Sequence, residues 1–311
     1  MISSYWHIRH SACPLTRLRG PSGLFNGDII LEEKAVAIMT RMEEILKGLE
    51  KGREEKPDLV ETIDLHRALL LAQAGAQVSQ PHLELETEEV TTFLQEGSPL
   101  LRPEELEIDW EVFAQLCEKI CSIASQHRPE LGEELEKIRA FLSNHPDKRS
   151  PVVHYLRDES PEGVEKTGLN GELLAFVLNN ALHPFLRAHA EVLVPLIDDR
   201  LWYRGRCPVC GGQPDFALLE AETGGRHLLC SRCDSQWLFR RLGCPFCSNT
   251  EPNKLIYYPS EDEVYRLYVC QVCRRYLKTI DMRRATSKVI PPVERIITVA
   301  MDVAAREAGY T

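Results

Sequence analysis

The chain has 311 residues, 43% hydrophobic and 27% charged, with a formal net charge of -10. That length suits two domains with small modules attached, and the composition is that of an ordinary globular protein. The acidic balance argues against general nucleic-acid binding. No stretch approaches the roughly 18 apolar residues of a membrane span.

In chain order, residues 1–27 read as a poorly ordered tail, because Ser3, Ser4, Pro14, Gly20, Pro21 and Gly23 break any periodicity. Its arginines are not followed by the apolar core of a signal peptide, and Cys13 takes no role there. Residues 28–200 read as a helical domain. Ile38, Met42, Ile45, Leu46 and Leu49 fall on one helix face. Pro57-Asp58 opens a second helix running to about Gln77. Asp109 caps a third, whose apolar face carries Trp110, Phe113, Cys117, Ile120, Cys121 and Ala124. Leu131, Leu135, Ile138 and Leu142 mark a fourth. Asn170 caps a long apolar segment in which Pro184 is expected to kink or interrupt the helix, and Pro195 to do so again near its end. The expectation is a bundle of about five or six helices. Cys117 and Cys121 share a face and could in principle ligate a metal, but beside Phe113 and Ile120 they read as small core hydrophobes. His66, His183 and His189 stand alone and read as hydrogen-bonded core or surface residues.

From residue 201 short apolar runs replace helical periodicity. Phe216–Leu219, His227–Leu229, Gln236–Arg240, Leu255–Tyr258, Tyr265–Val269 and Tyr276–Ile280 read as strands. Between them stand four Cys-x-x-Cys pairs: Cys207/Cys210, Cys230/Cys233, Cys244/Cys247 and Cys270/Cys273. A tight turn between two thiolates aims both at one ion, and two such pairs complete a tetrahedral site. The first two pairs are 19 residues apart and the last two 22, the first inside and the second just beyond the spacing read as a zinc site. Only 10 residues separate Cys233 from Cys244, and consecutive pairing closes shorter loops than an interleaved one. The expectation is two metal ions, one held by Cys207, Cys210, Cys230 and Cys233, the other by Cys244, Cys247, Cys270 and Cys273. Disulfides need an oxidising compartment, and a thioredoxin-like pair needs a βαβ pattern that is absent.

Charge follows the same division. Residues 31–200 hold 18 Lys+Arg against 34 Asp+Glu, a net of -16, and residues 201–288 hold 14 against 9, a net of +5. Two four-thiolate sites, each adding -2 when loaded, reduce that +5 to about +1, so much of the basic surplus offsets sulfur charge. After the cysteines, Pro291-Pro292 opens a last helix with an apolar stripe of Val293, Ile296, Ile297, Ala300, Met301 and Ala304, ended by Gly309.

The run Cys207-Pro208-Val209-Cys210-Gly211-Gly212-Gln213-Pro214 resembles the opening of the metal region of the formate dehydrogenase accessory protein family, FdhE. The resemblance continues through His227-Leu228-Leu229-Cys230-Ser231-Arg232-Cys233, Trp237, the Cys244/Cys247 pair, and Cys270 and Cys273 with Tyr276-Leu277-Lys278. It closes with Asp302 and Glu307-Ala308-Gly309-Tyr310, and so covers residues 203–310. The helical half matches only in length and helical character. The resemblance implies a cytoplasmic protein with a helical N-terminal domain and two rubredoxin-like metal modules. It also implies a maturation or chaperone role exercised by binding the catalytic subunit of formate dehydrogenase.

The expected fold is therefore α+β: an N-terminal helical bundle, then small rubredoxin-like or zinc-ribbon four-cysteine modules at 201–243 and 244–288, then a C-terminal helix at 289–311. Closed four-thiolate sites leave no open position for water, and no phosphate loop, Ser/His/Asp grouping or recognisable carboxylate pair is present, so no catalysis is expected. The ion is iron or zinc, since a four-thiolate tetrahedron suits both. Glycine follows the second cysteine only at Cys210, whereas Asp234, Ser248 and Arg274 follow the others. Two alternatives stand beside the accessory reading. One is a rubredoxin-like electron carrier. The other is a nucleic-acid-binding zinc ribbon using Arg240, Arg241, Arg274, Arg275, Arg283 and Arg284 with nearby aromatics. The simpler role for those aromatics is to fill the ribbon cores.

Overall fold

The computed structural model describes residues 26–159 and 168–311, with side chains described from Thr40 onward. Two units divide the chain, residues 1–43 and 44–311, and their boundary falls inside helix α1 (Asn26–Glu55). The tail expected over residues 1–27, with Cys13, lies outside the described residues as far as residue 25.

Six more helices precede residue 200 among the described residues. They are α2 (Val60–Ala74), α3 (Thr87–Glu96), α4 (Trp110–His127), α5 (Gly132–Asn144), α6 (Arg149–Leu156) and α7 (Gly171–Leu193). Asp109 caps α4 by accepting from the backbone N–H groups of Glu111 and Val112 at 3.0 and 3.1 Å. Asn170 caps α7 by accepting from Leu173 N at 3.1 Å. Helix α4 packs against α2, α5 and α7. Its buried face is Phe113, Leu116, Cys117, Ile120, Cys121 and Ala124.

The expected interruption at Pro184 does not occur: α7 runs continuously from Gly171 to Leu193. Proline removes the N–H that would serve the Asn180 carbonyl. Gln73 on α2 replaces that donor, its Nε2 lying 2.9 Å from Asn180 O. A packed neighbour thus satisfies the carbonyl that proline leaves without its helical donor. At the end of α7 the chain tightens into a short 3-10 turn, Val194–Leu196, around Pro195.

Six strands follow: β1 (Pro214–Leu219), β2 (Arg226–Cys230), β3 (Gln236–Phe239), β4 (Leu255–Pro259), β5 (Tyr265–Cys270) and β6 (Tyr276–Asp281). Two antiparallel three-stranded ribbons result, and they join. Strand β1 pairs with β6 in parallel, with Phe216 opposite Lys278 and Leu218 opposite Ile280, giving one sheet of order β3-β2-β1-β6-β5-β4. The run Phe216-Ala217-Leu218-Leu219 is buried on both faces, as a central strand requires.

The single last helix expected from the sequence is two: α8 (Pro291–Ile297) and α9 (Val299–Glu307). They separate at Thr298, whose hydroxyl donates to Glu294 O at 2.6 Å. The break splits the apolar stripe between two partners. Val293 and Ile296 on α8 pack with Ile45 and Leu49 of α1 and Ile63 of α2. Ala305 on α9 and Tyr310 beyond it pack with Leu267 and Val269 of β5. No helix among the described residues is long and apolar enough to cross a membrane.

Candidate metal centres

The four cysteine pairs occupy four copies of one backbone knuckle. In each, the N–H of the first cysteine donates to the carbonyl five residues on: Cys207 to Gly212, Cys230 to Ser235, Cys244 to Asn249 and Cys270 to Arg275, at 2.8–2.9 Å. The residue after the second cysteine has positive φ in all four: Gly211 at 70°, Asp234 at 60°, Ser248 at 60° and Arg274 at 59°. Glycine adopts that conformation without strain, whereas the other three are held there by the knuckle's closing hydrogen bonds. The turn aims backbone N–H groups at sulfur. That of Arg232 donates to Cys230 Sγ at 3.4 Å.

The sheet brings the knuckles together in consecutive pairs. Cys207, Cys210, Cys230 and Cys233 form one group, and Cys244, Cys247, Cys270 and Cys273 the other, with the sulfurs of each group within 4.8 Å of one another. A tetrahedral ion about 2.3 Å from each of four sulfurs sets sulfur–sulfur edges of about 3.8 Å. Cys207 lies 3.6 Å from Cys233 and Cys210 lies 3.5 Å from Cys230. Cys244 lies 3.6 Å from Cys273 and Cys247 lies 3.7 Å from Cys270. Both groups therefore match the size and donor set of a four-thiolate ion site. Cys117 and Cys121 join neither. Both are buried, and burial pushes the Cys121 thiol up to about 11 and Cys117 higher still, so they stay protonated.

The two groups differ in exposure. The first is wholly buried, and its cysteines share one apolar core with α4 and α7. In the second, Cys244 and Cys270 are buried, Cys273 is half-buried and Cys247 is exposed.

Residues outside the cysteines lock the first, second and fourth knuckles to neighbouring elements. Arg232, inside the second knuckle, donates to the carbonyls of Leu156 and Tyr155 at 2.9 Å and pairs with Asp158. Arg295 of α8 pairs with Asp215 at 2.9 Å and with Asp234, and donates to Cys230 O. Burial alone would raise the Asp234 carboxyl, but the Arg295 guanidinium and His183, 3.1 Å away, hold it well below the usual carboxylate range. Backbone pairing of Leu100 to Pro208 O and Leu101 to Val209 O, both 2.9 Å, lays the helical part along the first knuckle.

The C-terminal motif clamps the fourth knuckle. Arg274 stacks 4.2 Å from the Tyr310 ring centroid and donates to Ala308 O and Gly309 O. Asp302 accepts from Tyr276 Oη at 2.9 Å and from Lys278 Nζ at 2.6 Å. Sequence reasoning did not find Arg232, Arg295 or Asp234. The only signal was a run of charged residues among cysteines, which also fits a solvated surface.

The model of the FdhE central domain matches residues 206–241, the segment that holds the first group. An FdhE homolog of Aquifex aeolicus is 27% identical over 240 residues, spanning 76% of this chain and 79% of that protein. An FdhE homolog of Pseudomonas aeruginosa is 30% identical over 207 residues, spanning 58% of this chain and 64% of that one. The crystal structure of the FdhE protein from Pseudomonas aeruginosa superposes with a TM-score of 0.55 at 20% identity, over 87% of this chain and 91% of that chain, and so has the same fold. The cysteine motifs, the helix-and-sheet architecture and these relatives all support one family, that of FdhE.

Proposed function

We propose that the chain is a cytoplasmic accessory factor that binds the catalytic subunit of formate dehydrogenase and is needed for its activity, without turning over substrate itself. Similarity to the FdhE family carries this reading. Each four-cysteine group holds one ion, iron or zinc: Cys207, Cys210, Cys230 and Cys233 the first, Cys244, Cys247, Cys270 and Cys273 the second. A bound ion supplies a cross-link between knuckles far apart in sequence, and with four thiolates around it has no open position for substrate. The buried first group supports a framework role, since it sits in the core shared with the helices. The more exposed second group supports a role for the 244–288 module at the client surface.

Four of the six arginines of the nucleic-acid reading already have partners within the chain. Arg274 clamps the C-terminus, Arg283 pairs with Asp281, Arg284 with Glu263, and Arg241 donates to Gly224 O. Of its aromatics, Trp237 and Phe239 are buried in the core, whereas Tyr257 and Tyr258 are exposed. The electron-carrier reading keeps one observation, the exposure of Cys247. It requires a reversible one-electron couple in a redox titration. Deleting the gene tests the accessory role: formate dehydrogenase activity should fall while its polypeptide is still made. Full activity in the deletion strain would overturn it.

A further inference from the structure

A second feature of the 244–288 module is independent of the metal geometry. A cavity of about 300 Å³ opens beside the second group, and Arg226, Arg241, Arg266 and Arg275 all line it. Among the described residues that line it there is no Asp or Glu. That volume stands at the small end of the range for small-molecule sites.

Arg226, at the start of β2, is only 2% exposed, and a buried guanidinium needs its N–H groups satisfied. Its Nη2 donates to Gly243 O at 2.6 Å, but its Nε finds no partner. The guanidinium lies 5.1 Å from the Phe239 ring centroid and 6.0 Å from that of Tyr268. Arg275 sits 3.9 Å over the Phe246 ring. Arg266 is the exception, because Asp281 pairs with it at 2.6 Å.

Flat apolar surface completes the lining. The rings of Tyr257 and Tyr268 lie 5.3 Å apart at 33°, and both face the cavity with Phe246. Tyr257 is 48% exposed, which leaves an entrance from solvent.

Charge decides whether this cavity is already neutral. Cys244 and Cys270 border it, so the loaded second group supplies about -2 nearby. Asp281 is shared between Arg266 and Arg283 and offsets one of them, so Arg226, Arg241 and Arg275 contribute three further positive charges and a surplus of at least about one remains.

We infer that this cavity binds a small oxyanion, carboxylate or phosphate, carried on a flat apolar ring. The oxygens take the guanidinium forks of Arg226 and Arg275, which suit planar two-point recognition. The ring lies against Tyr257, Tyr268 and Phe246.

Calorimetric titration of the metal-loaded full chain with inorganic phosphate, benzoate and phenyl phosphate tests this. One of the two ring-bearing anions should bind saturably, one per chain, and at least tenfold tighter than inorganic phosphate. The tighter of the two identifies the oxyanion as phosphate or carboxylate. Arg275→Gln and Tyr257→Ser, at positions not fully buried, should each weaken that binding at least tenfold while two metal ions per chain are retained. Absence of saturable binding by every probe overturns the inference, and so does unchanged binding in Arg275→Gln. Equal binding of phosphate and the ring-bearing anions also overturns it, because the rings would then contribute nothing. If the arginines serve the thiolates alone, no probe binds and Arg275→Gln loses metal from the second group instead.

Discussion

Replacing Gly205 by alanine adds one methyl group, at a point where the two cysteine modules touch. A Cβ built there falls 1.7 Å from the carbonyl oxygen of Pro245, inside the third knuckle, and 2.6 Å from its carbonyl carbon. Ordinary contact needs about 3.4 Å or more, so the two backbone segments must separate by about 1.7 Å. Neither is free to do so. Trp202 Nε1 donates to Arg206 O at 2.8 Å and Trp237 Nε1 donates to Arg204 O at 2.9 Å, pinning the chain on both sides of Gly205. On the other side, Pro245 stands between Cys244 and Cys247. Overpacking costs about 1–3 kcal/mol where side chains can yield. With backbone on both sides the expected loss is at the top of that range, about 3 kcal/mol. At about 1.5 °C per kcal/mol for a chain of 311 residues, the melting temperature should fall by about 5 °C. Gly171→Ala is the matched control: a Cβ there meets nothing within 4 Å. Thermal unfolding followed by circular dichroism, with metal content measured on the same samples, reads both. If Gly205→Ala melted within about 2 °C of the parent with full metal content, the packed contact between the modules would be refuted.

Three further outcomes follow from burial. A chelator should strip the second group before the first, because Cys247 is exposed while all four cysteines of the first group are buried; metal release measured alongside Cys207→Ser/Cys210→Ser and Cys244→Ser/Cys247→Ser variants reads the order, and simultaneous release contradicts it. Replacing Cys117 and Cys121 by alanine should leave metal content unchanged and cost about 1–2 kcal/mol in a denaturant titration, through lost packing on α4. Burial, helped by the charge of Lys278, lowers the His66 imidazole from 6.5 to about 4. The unfolded chain then binds more protons between those values, so His66 contributes fully above about pH 6.5 and its contribution is lost as pH falls toward about 4. Stability at pH 7 and pH 5 should differ less in His66→Gln than in the parent, which separates this effect from thiolate protonation; an equal difference refutes it.

Much of the site was legible in the sequence because it is local. A Cys-x-x-Cys turn repeats its own geometry wherever it occurs, and the strands between the pairs are short apolar runs bounded by turn residues. The caps at Asp109 and Asn170 were legible for the same reason, since a cap depends on residues two or three positions away. What escaped was non-local. Phe216 and Lys278 stand opposite each other across the parallel β1–β6 pairing, and no local pattern specifies a strand's neighbour at that separation. The unbroken run Phe216–Leu219 was the available hint, since a strand buried on both faces loses alternation. The donor that Pro184 denies to α7 comes from Gln73 on another helix. Helices α3 and α6 are short, and Pro151 inside α6 masks its periodicity. Arg232 and Arg295 look like surface cations until the fold buries them against knuckle carbonyls and carboxylates.

Co-purification of the formate dehydrogenase catalytic subunit with the tagged chain from native cells tests the central claim most directly. The account predicts that the subunit is recovered with the parent chain and is lost with Cys244→Ser/Cys247→Ser, because small metal modules lose their surface with their ion. Recovery of none of the subunit by a parent chain carrying two metal ions would contradict it.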